Sequence, residues 1–161
     1  MSPRFRAHIG LGANLGDPPA QLRWALARLE QLGRLLAQSP LYRSLPMGPS
    51  EQPDFCNAVC ILDTDIPPEA LMQALLAIER EAGRVRDVKW GPRTLDLDLL
   101  HVEGVVLDSA ALRLPHPGIA QRNFVLQPWA QIAPDLVVPG LGRVDLAAGR
   151  LGEAGLQLWR E

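Results

Sequence analysis

Trp90-Gly91-Pro92-Arg93-Thr94-Leu95-Asp96-Leu97-Asp98-Leu99-Leu100-His101 is the stretch on which the fold turns. From Leu95 onward leucine alternates with aspartate, the period-two signature of a strand with one apolar and one polar face. Residues i and i+2 share a face, so Asp96 and Asp98 project together with Cα atoms roughly 7 Å apart. Aspartate is depleted in strands, and two like charges this close repel and, if buried, raise at least one pKa. A divalent cation removes that penalty. The pair reads as a metal site in preference to a solvated strand face, and hard oxygen ligands with no His/Cys set favour Mg²⁺ over zinc.

Immediately upstream, residues 84–94 read as a charged loop carrying Arg84, Arg86 and Arg93. Any one of them is unexceptional on a solvated loop. Three arginines leading into an acidic strand supply positive charge where a phosphoryl chain bridging the metals would extend. Trp90 in that loop is either a core anchor or a stacking lid.

Further back, Pro67-Pro68 opens a helix with Leu71, Leu75, Ile78 and Ala82 on one face, closed by Gly83. A strand precedes it over residues 55–63. There Phe55, Asn57, Val59 and Ile61 share a face, and Asn57 is either a satisfied structural amide or a reader of a heterocycle edge. Residues 43–53 carry three prolines and a glycine, a long loop of the kind that is often functional. A strand is expected over residues 35–42. Before it a helix runs from Asp17 as N-cap through Pro18 and Pro19 to Gly33, with Leu22, Ala25, Leu26, Leu29 and Leu32 at helical spacing. A first strand covers residues 7–12.

Downstream of the acidic strand, residues 105–107 read as a hairpin return. Residues 114–118 read as a turn, 119–132 as mostly helical, and the remainder from Ala133 as loop. The order strand, helix, strand, strand, helix, strand is the ferredoxin-like βαββαβ arrangement, an α+β fold with one antiparallel sheet backed by two helices and a C-terminal extension. No linker or repeat divides it, so a single domain over 1–161 is expected.

The 161 residues suffice for a full core without disulfides or structural metals. Net charge is −2, which argues against nucleic acid as partner. Of the 16 basic residues all but Lys89 are arginine, so an anion site here uses guanidinium groups, which contact phosphate bidentately. Cys56 and Cys60 share a strand face about 13 Å apart, too far for a disulfide, and read as buried thiols. Gly10, Gly12 and Gly16 are spaced G-x-G-x-x-x-G, which misses the dinucleotide fingerprint, and read as turn and close-packing positions. His8 and His101 look structural, and His116 is open. The N-terminus lacks an apolar targeting segment and no stretch reaches membrane-spanning length, so a cytoplasmic protein without membrane contacts is expected.

With these residues in view, the chain resembles the 6-hydroxymethyl-7,8-dihydropterin pyrophosphokinase family over about residues 9–139. The matching blocks are Gly12-Ala13-Asn14-Leu15-Gly16-Asp17, Tyr42-Arg43-Ser44 with Gly48-Pro49, Gln52-Pro53-Asp54-Phe55 with Asn57, Glu79, and Gly83-Arg84-Val85-Arg86. They continue with Trp90 through Asp98, and with Leu114-Pro115-His116-Pro117 with Arg122 and Phe124. The resemblance implies pyrophosphoryl transfer from ATP to a pterin hydroxymethyl group, release of AMP, and two Mg²⁺ ions held by Asp96 and Asp98. It implies Arg84, Arg93 and Asp98 as catalytic, Asp98 being the candidate for the hydroxyl proton. It places Glu79, Arg84, Arg86, Trp90, Arg93, Leu99, Arg113, His116 and Arg122 at ATP. Ser44, Leu45, Pro46, Phe55, Asn57, Trp90 and Phe124 fall at the pterin, with Phe55 and Phe124 stacking on its ring.

The loops 43–53 and 84–90 match family loops that close over substrate. Ala13, Leu45 and Phe55 replace a frequent serine, proline and tyrosine. Leu76 and Ala111 stand where some members place polar ATP contacts, a role in which Arg113 substitutes. The expected partners are the small molecules ATP and hydroxymethyl-dihydropterin, acting on a monomer. Two rivals stay open: another two-metal phosphoryl or nucleotidyl transferase, and a non-enzymatic small-ligand regulatory module on the same fold.

Overall fold

The computed structural model describes residues 3–45, 53–83 and 95–160. β1 (Phe5–Ala13) leads into α1 (Pro18–Leu29). Asp17 caps α1 as its position predicts: its carboxylate accepts from the Ala20 N–H at 3.2 Å, and Pro18 and Pro19 occupy the first turn, where no N–H is required. Gly33 is obligatory in the following turn, since a Cβ there would lie 2.3 Å from the Asp63 carbonyl oxygen.

The strand expected over residues 35–42 is two strands, β2 (Arg34–Gln38) and β3 (Tyr42–Ser44). Pro40 has no N–H for the ladder. At the break the Ser39 N–H donates to the Val59 carbonyl at 2.8 Å, and the Ser39 hydroxyl accepts the Val59 N–H at 3.0 Å. Both strands lie antiparallel along β4 (Phe55–Thr64), one on each half. α2 (Pro68–Gly83) then crosses to β5 (Asp96–Val102), which pairs with β1.

β5 carries a bulge. Leu99 opposes Ile9 and His101 opposes His8, leaving Leu100 as the extra residue. The hairpin expected at 105–107 does not return along β5. Val105 closes a tight turn on Val102, and β6 (Leu107–Asp108) pairs instead with β7 (Arg113–Leu114).

The helix expected over 119–132 is interrupted at Arg122, whose extended backbone (φ −117°, ψ 93°) separates a 3₁₀ turn, Ile119–Gln121, from α3 (Asn123–Ile132). Beyond Ala133 the chain is ordered secondary structure and not loop. β8 (Val137–Val138) and β9 (Gly142–Arg143) form a small ribbon, α4 (Val144–Leu151) follows, and β10 (Leu156–Leu158) adds itself to the main sheet.

The sheet runs β10-β3-β4-β1-β5, antiparallel throughout, with β2 beside β3 on β4. This is the expected ferredoxin-like α+β order, extended by one strand. It is covered on both faces, not one. Odd residues of β1 (Ala7, Ile9, Leu11), even residues of β4 (Cys56, Ala58, Cys60) and Leu95, Leu97 and Leu99 pack on α1 and α2. Val59 and Leu100 on the other face meet Val125, Leu126 and Trp129 of α3 and Val144, Ala147 and Ala148 of α4. The extension folds because the central strands are apolar on both sides and need a second layer. Cys56 and Cys60 are buried free thiols, and burial pushes the Cys60 thiol up to about 12. Among the described residues, no helix is long and apolar enough to cross a membrane.

Candidate active site

The second helical layer covers only part of its face. Over Gly10 and Gly12 of β1 it leaves a cleft of about 280 Å³. The end of β3 supplies Ser44 and Leu45, the start of β4 Phe55 and Asn57, the start of β5 Asp96 and Asp98, and the entry to α3 Arg122 and Phe124. Antiparallel pairing brings these together, since Gly12 is opposite both Asn57 and Asp96 and Ser44 is opposite Phe55. Eight residues singled out from sequence thus line one wall-to-wall site.

Asn57 is buried, and the Ser44 hydroxyl donates to its Oδ1 at 2.5 Å. That bond occupies the amide oxygen and turns the amide nitrogen toward the cleft floor. The nitrogen lies where a Cβ on Gly12 would come within 3.0 Å of it. Gly12 is therefore a close-packing position, as expected, but on a mid-sheet strand and not in a turn. Asn14 Nδ2 donates to the Pro53 carbonyl at 3.1 Å, tying the end of β1 to the approach to β4.

At the acidic side, Asp98 lies 3.5 Å from the Arg122 guanidinium, both side chains about a third exposed. Arg122 is laid flat over Gly118, where a Cβ would stand 3.2 Å from three guanidinium atoms. His116 accepts the Gly118 N–H on Nδ1 at 3.0 Å. Burial pushes its imidazole below the ordinary range, Asp98 opposing and Arg122 adding to the shift. Sequence reading missed Gly12 as a site residue and Gly118 as the seat of Arg122. The signal for the second was a glycine four residues before an arginine, weak without the fold.

Besides His116, three expected ATP residues stand outside the cleft lining. Glu79 on α2 accepts the Leu97 N–H at 2.7 Å, satisfying the free edge of β5 just between the two aspartates. The Leu99 side chain is buried on the α1/α2 face, opposite to Asp96 and Asp98, because the period-two alternation that aligns the carboxylates turns the leucines away. A side-chain contact from Leu99 to a ligand is thereby excluded. Arg113 on β7 is exposed and pairs with Asp108 at 3.5 Å. Pro46, Arg84, Arg86, Trp90 and Arg93 lie outside the described residues.

The acidic pair fits Mg²⁺. Among the described residues no third His, Cys, Asp or Glu completes a protein-only metal cluster. Two carboxylates with the remaining positions left to water and phosphate oxygens is how that ion is commonly bound.

An antiparallel α+β sheet bearing paired carboxylates beside an aromatic-walled slot suits the phosphotransferase class. Within it, the family model of 7,8-dihydro-6-hydroxymethylpterin-pyrophosphokinase (HPPK) matches residues 8–134, and the chain belongs to that family. A Pseudomonas aeruginosa protein named 2-amino-4-hydroxy-6-hydroxymethyldihydropteridine pyrophosphokinase is 51% identical over 136 residues, 83% of this chain and 84% of that relative. A Haemophilus influenzae protein of the same name is 44% identical over 135 residues, again 83% and 84%. Among solved structures, wild-type HPPK-DHPS of Plasmodium falciparum with pteroate has a TM-score of 0.70 at 12% identity, over 93% of this chain and 43% of that one. That likeness bears on the fold, and the chain spans less than half of the solved protein.

Proposed function

We propose that this chain transfers the pyrophosphoryl group of ATP to the hydroxymethyl group of 6-hydroxymethyl-7,8-dihydropterin, releasing AMP, as a step of folate biosynthesis. The observation that carries it is the juxtaposition in one cleft of a ring slot, Phe55, Phe124 and Asn57, with the acidic pair Asp96 and Asp98 and its partner Arg122. The family and its relatives' names support the same reading.

The ring lies between Phe55 and Phe124, with Ser44, Leu45 and Pro46 closing the pocket. Because Ser44 holds the amide oxygen of Asn57, the amide offers its N–H groups to acceptors on the ring edge. Asp96 and Asp98 would hold two Mg²⁺ ions, whose chemistry is to neutralise triphosphate charge and align donor with acceptor. Asp98 accepts the hydroxyl proton as the oxygen attacks the β-phosphorus in line with the departing AMP oxygen. Arg122, 3.5 Å away, orients the Asp98 carboxylate for that role. Arg84 and Arg93 balance charge on the transferred group, and Arg86, Trp90, Arg113 and His116 line the nucleotide. Glu79 acts at one remove by fixing the β5 edge. Most of the rate enhancement in such a site is positioning and charge stabilisation.

The proposal includes one domain over 1–161, a monomer and a cytoplasmic location; light scattering checks the monomer. The decisive assay incubates the chain with ATP, Mg²⁺ and the reduced pterin. AMP and a pterin diphosphate are expected. Release of inorganic pyrophosphate or ADP in place of AMP would sink the reading.

A further inference from the structure

Beneath α3 runs a polar chain that the cleft does not use. Trp129 is fully buried, and its indole N–H donates to Nδ1 of His8 at 2.9 Å. An indole nitrogen can only donate, so Nδ1 of His8 carries no proton and the ring hydrogen sits on Nε2. Nε2 in turn lies 2.9 Å from Oε2 of Glu103, in the turn after β5. The chain thus runs from the helix, through the centre of β1, to a carboxylate at the surface.

Besides this bond, Gln131 hydrogen-bonds Tyr42 of β3 and Arg122 at the N-cap faces Asp98 of β5, at the two ends of α3; the middle of the helix meets the sheet through apolar contacts. Val125, Leu126 and Trp129 pack on Val59 and Leu100, contacts that have no preferred direction. Pro128 also lies inside α3 and has no N–H for the Phe124 carbonyl, which loosens the helix between its first turn and Trp129. The Trp129–His8 bond supplies the one directional tie we identify between the described residues of α3 and β1. At the other end of the same helix sit Phe124 and, at the N-cap, Arg122, both lining the cleft.

We propose that His8, neutral and protonated on Nε2, is a positioning residue: through Trp129 it sets the rotation and height of α3, and so places Arg122 and Phe124 at the cleft. The kinetic part of this rests on the function proposed above. The chemistry makes the device acid-sensitive, because a proton on Nδ1 would set N–H against N–H at 2.9 Å. The groups facing His8 are Glu103, its hydrogen-bond partner; Arg6 of β1, 4.0 Å from Glu103; His101 of β5, its ring 5.8 Å away with Nδ1 buried and unpartnered; and the Trp129 indole of α3. Burial holds His8 below its ordinary range in spite of Glu103, so it is neutral where the ring must accept.

Three variants of the full chain test this. His8→Asn keeps an acceptor near the Nδ1 position and cannot titrate. His8→Leu orphans the indole N–H, and Trp129→Phe removes it. Long-range proton–nitrogen spectra of the wild type at pH 7.5 should show Nδ1 unprotonated and a slowly exchanging indole signal that vanishes in Trp129→Phe. His8→Leu and Trp129→Phe should each raise KM for the pterin about tenfold, the size of one lost buried hydrogen bond, with KM for ATP within about twofold. His8→Asn should recover most of that loss and flatten the fall of kcat/KM below pH 6.5. A protonated Nδ1 in the wild type, or a folded Trp129→Phe with unchanged pterin KM, overturns the proposal, whether or not His8→Leu folds. A wild type that releases no AMP would sink the proposed function alone. The tautomer and the indole signal would then judge the seating of α3.

Discussion

Replacing Gly12 by alanine tests the recognition geometry with a single methyl group. A Cβ there would stand 3.0 Å from the Asn57 amide nitrogen, about 0.4 Å inside ordinary contact. Asn57 is 5% exposed and already bonded to Ser44 at 2.5 Å, so the amide can retreat only by straining that bond. Overpacking of this kind costs roughly 1–3 kcal/mol, and the Ser44–Asn57 bond is worth about 1 kcal/mol net. Against this, removing a strand glycine contributes about 0.5–1 kcal/mol by restricting the unfolded chain. The fold should therefore lose roughly 1–3.5 kcal/mol, while a displaced donor at the ring edge raises KM for the pterin on the order of ten- to a hundredfold.

Gly10→Ala is the internal control. Its Cβ would meet Leu100 at 3.5 Å, ordinary contact, and would leave the Asn57 amide in place, so it should gain about 0.5 kcal/mol and raise pterin KM less than Gly12→Ala does. Urea denaturation and initial rates at varied pterin and fixed ATP measure both. Equal pterin KM in the two variants, or an effect of Gly12→Ala on ATP alone, would refute the reasoning.

Other expectations follow from the same geometry. Burial holds His101 at about 4 against an ordinary 6.5, so the unfolded chain binds the proton more readily between those values. Stability from this group is complete above pH 6.5 and is lost as pH falls toward 4, by roughly 3 kcal/mol, and His101→Leu should flatten the urea midpoint over that window. Asp96→Asn should reduce turnover by about three orders of magnitude or more and abolish its Mg²⁺ dependence while circular dichroism stays native; retained turnover would remove the metal assignment. Arg122→Ala removes the partner of Asp98 and should lower kcat/KM on the order of 10²-fold, more than Arg113→Ala, whose exposed guanidinium pairs with exposed Asp108 outside the cleft. Truncation after residue 153 removes β10, the Leu45 N–H bond to the Gly155 carbonyl at 3.3 Å, and the Trp159 ring stacked 3.9 Å from Arg43. It should raise pterin KM severalfold with ATP binding, measured by calorimetry, unaffected.

Period-two alternation at 95–99, helical spacing behind Asp17 and Pro67, and the turn glycines were enough to order the elements. They were legible because each is local: a strand must alternate, and a helix must place its apolar residues every three or four. The two-sided cover of the sheet was not legible. Val59 and Leu100 are apolar for the sake of α3 and α4, and nothing near them in sequence announces what covers them. The split at Pro40 was legible in the proline itself, which cannot donate to a ladder, whereas β10 was not, since its three residues form a strand only because β3 offers an edge. Leu99 shows the opposite lesson. Its place in the block suggested a ligand contact, yet the alternation itself turns its side chain into the core.

By itself, then, the sequence determined the acidic pair, the antiparallel order and the family, since these rest on residue type and spacing along one segment. The tertiary structure alone decided which residues face one another across the cleft: Ser44 against Asn57, Gly12 beneath the amide, Arg122 against Asp98, His8 beneath Trp129. Those pairs are separated by 13 to 121 positions for the bonded side chains. Only the packing of a complete sheet between two helical layers, paid in chain entropy over the whole domain, can hold such distant groups at hydrogen-bonding distance.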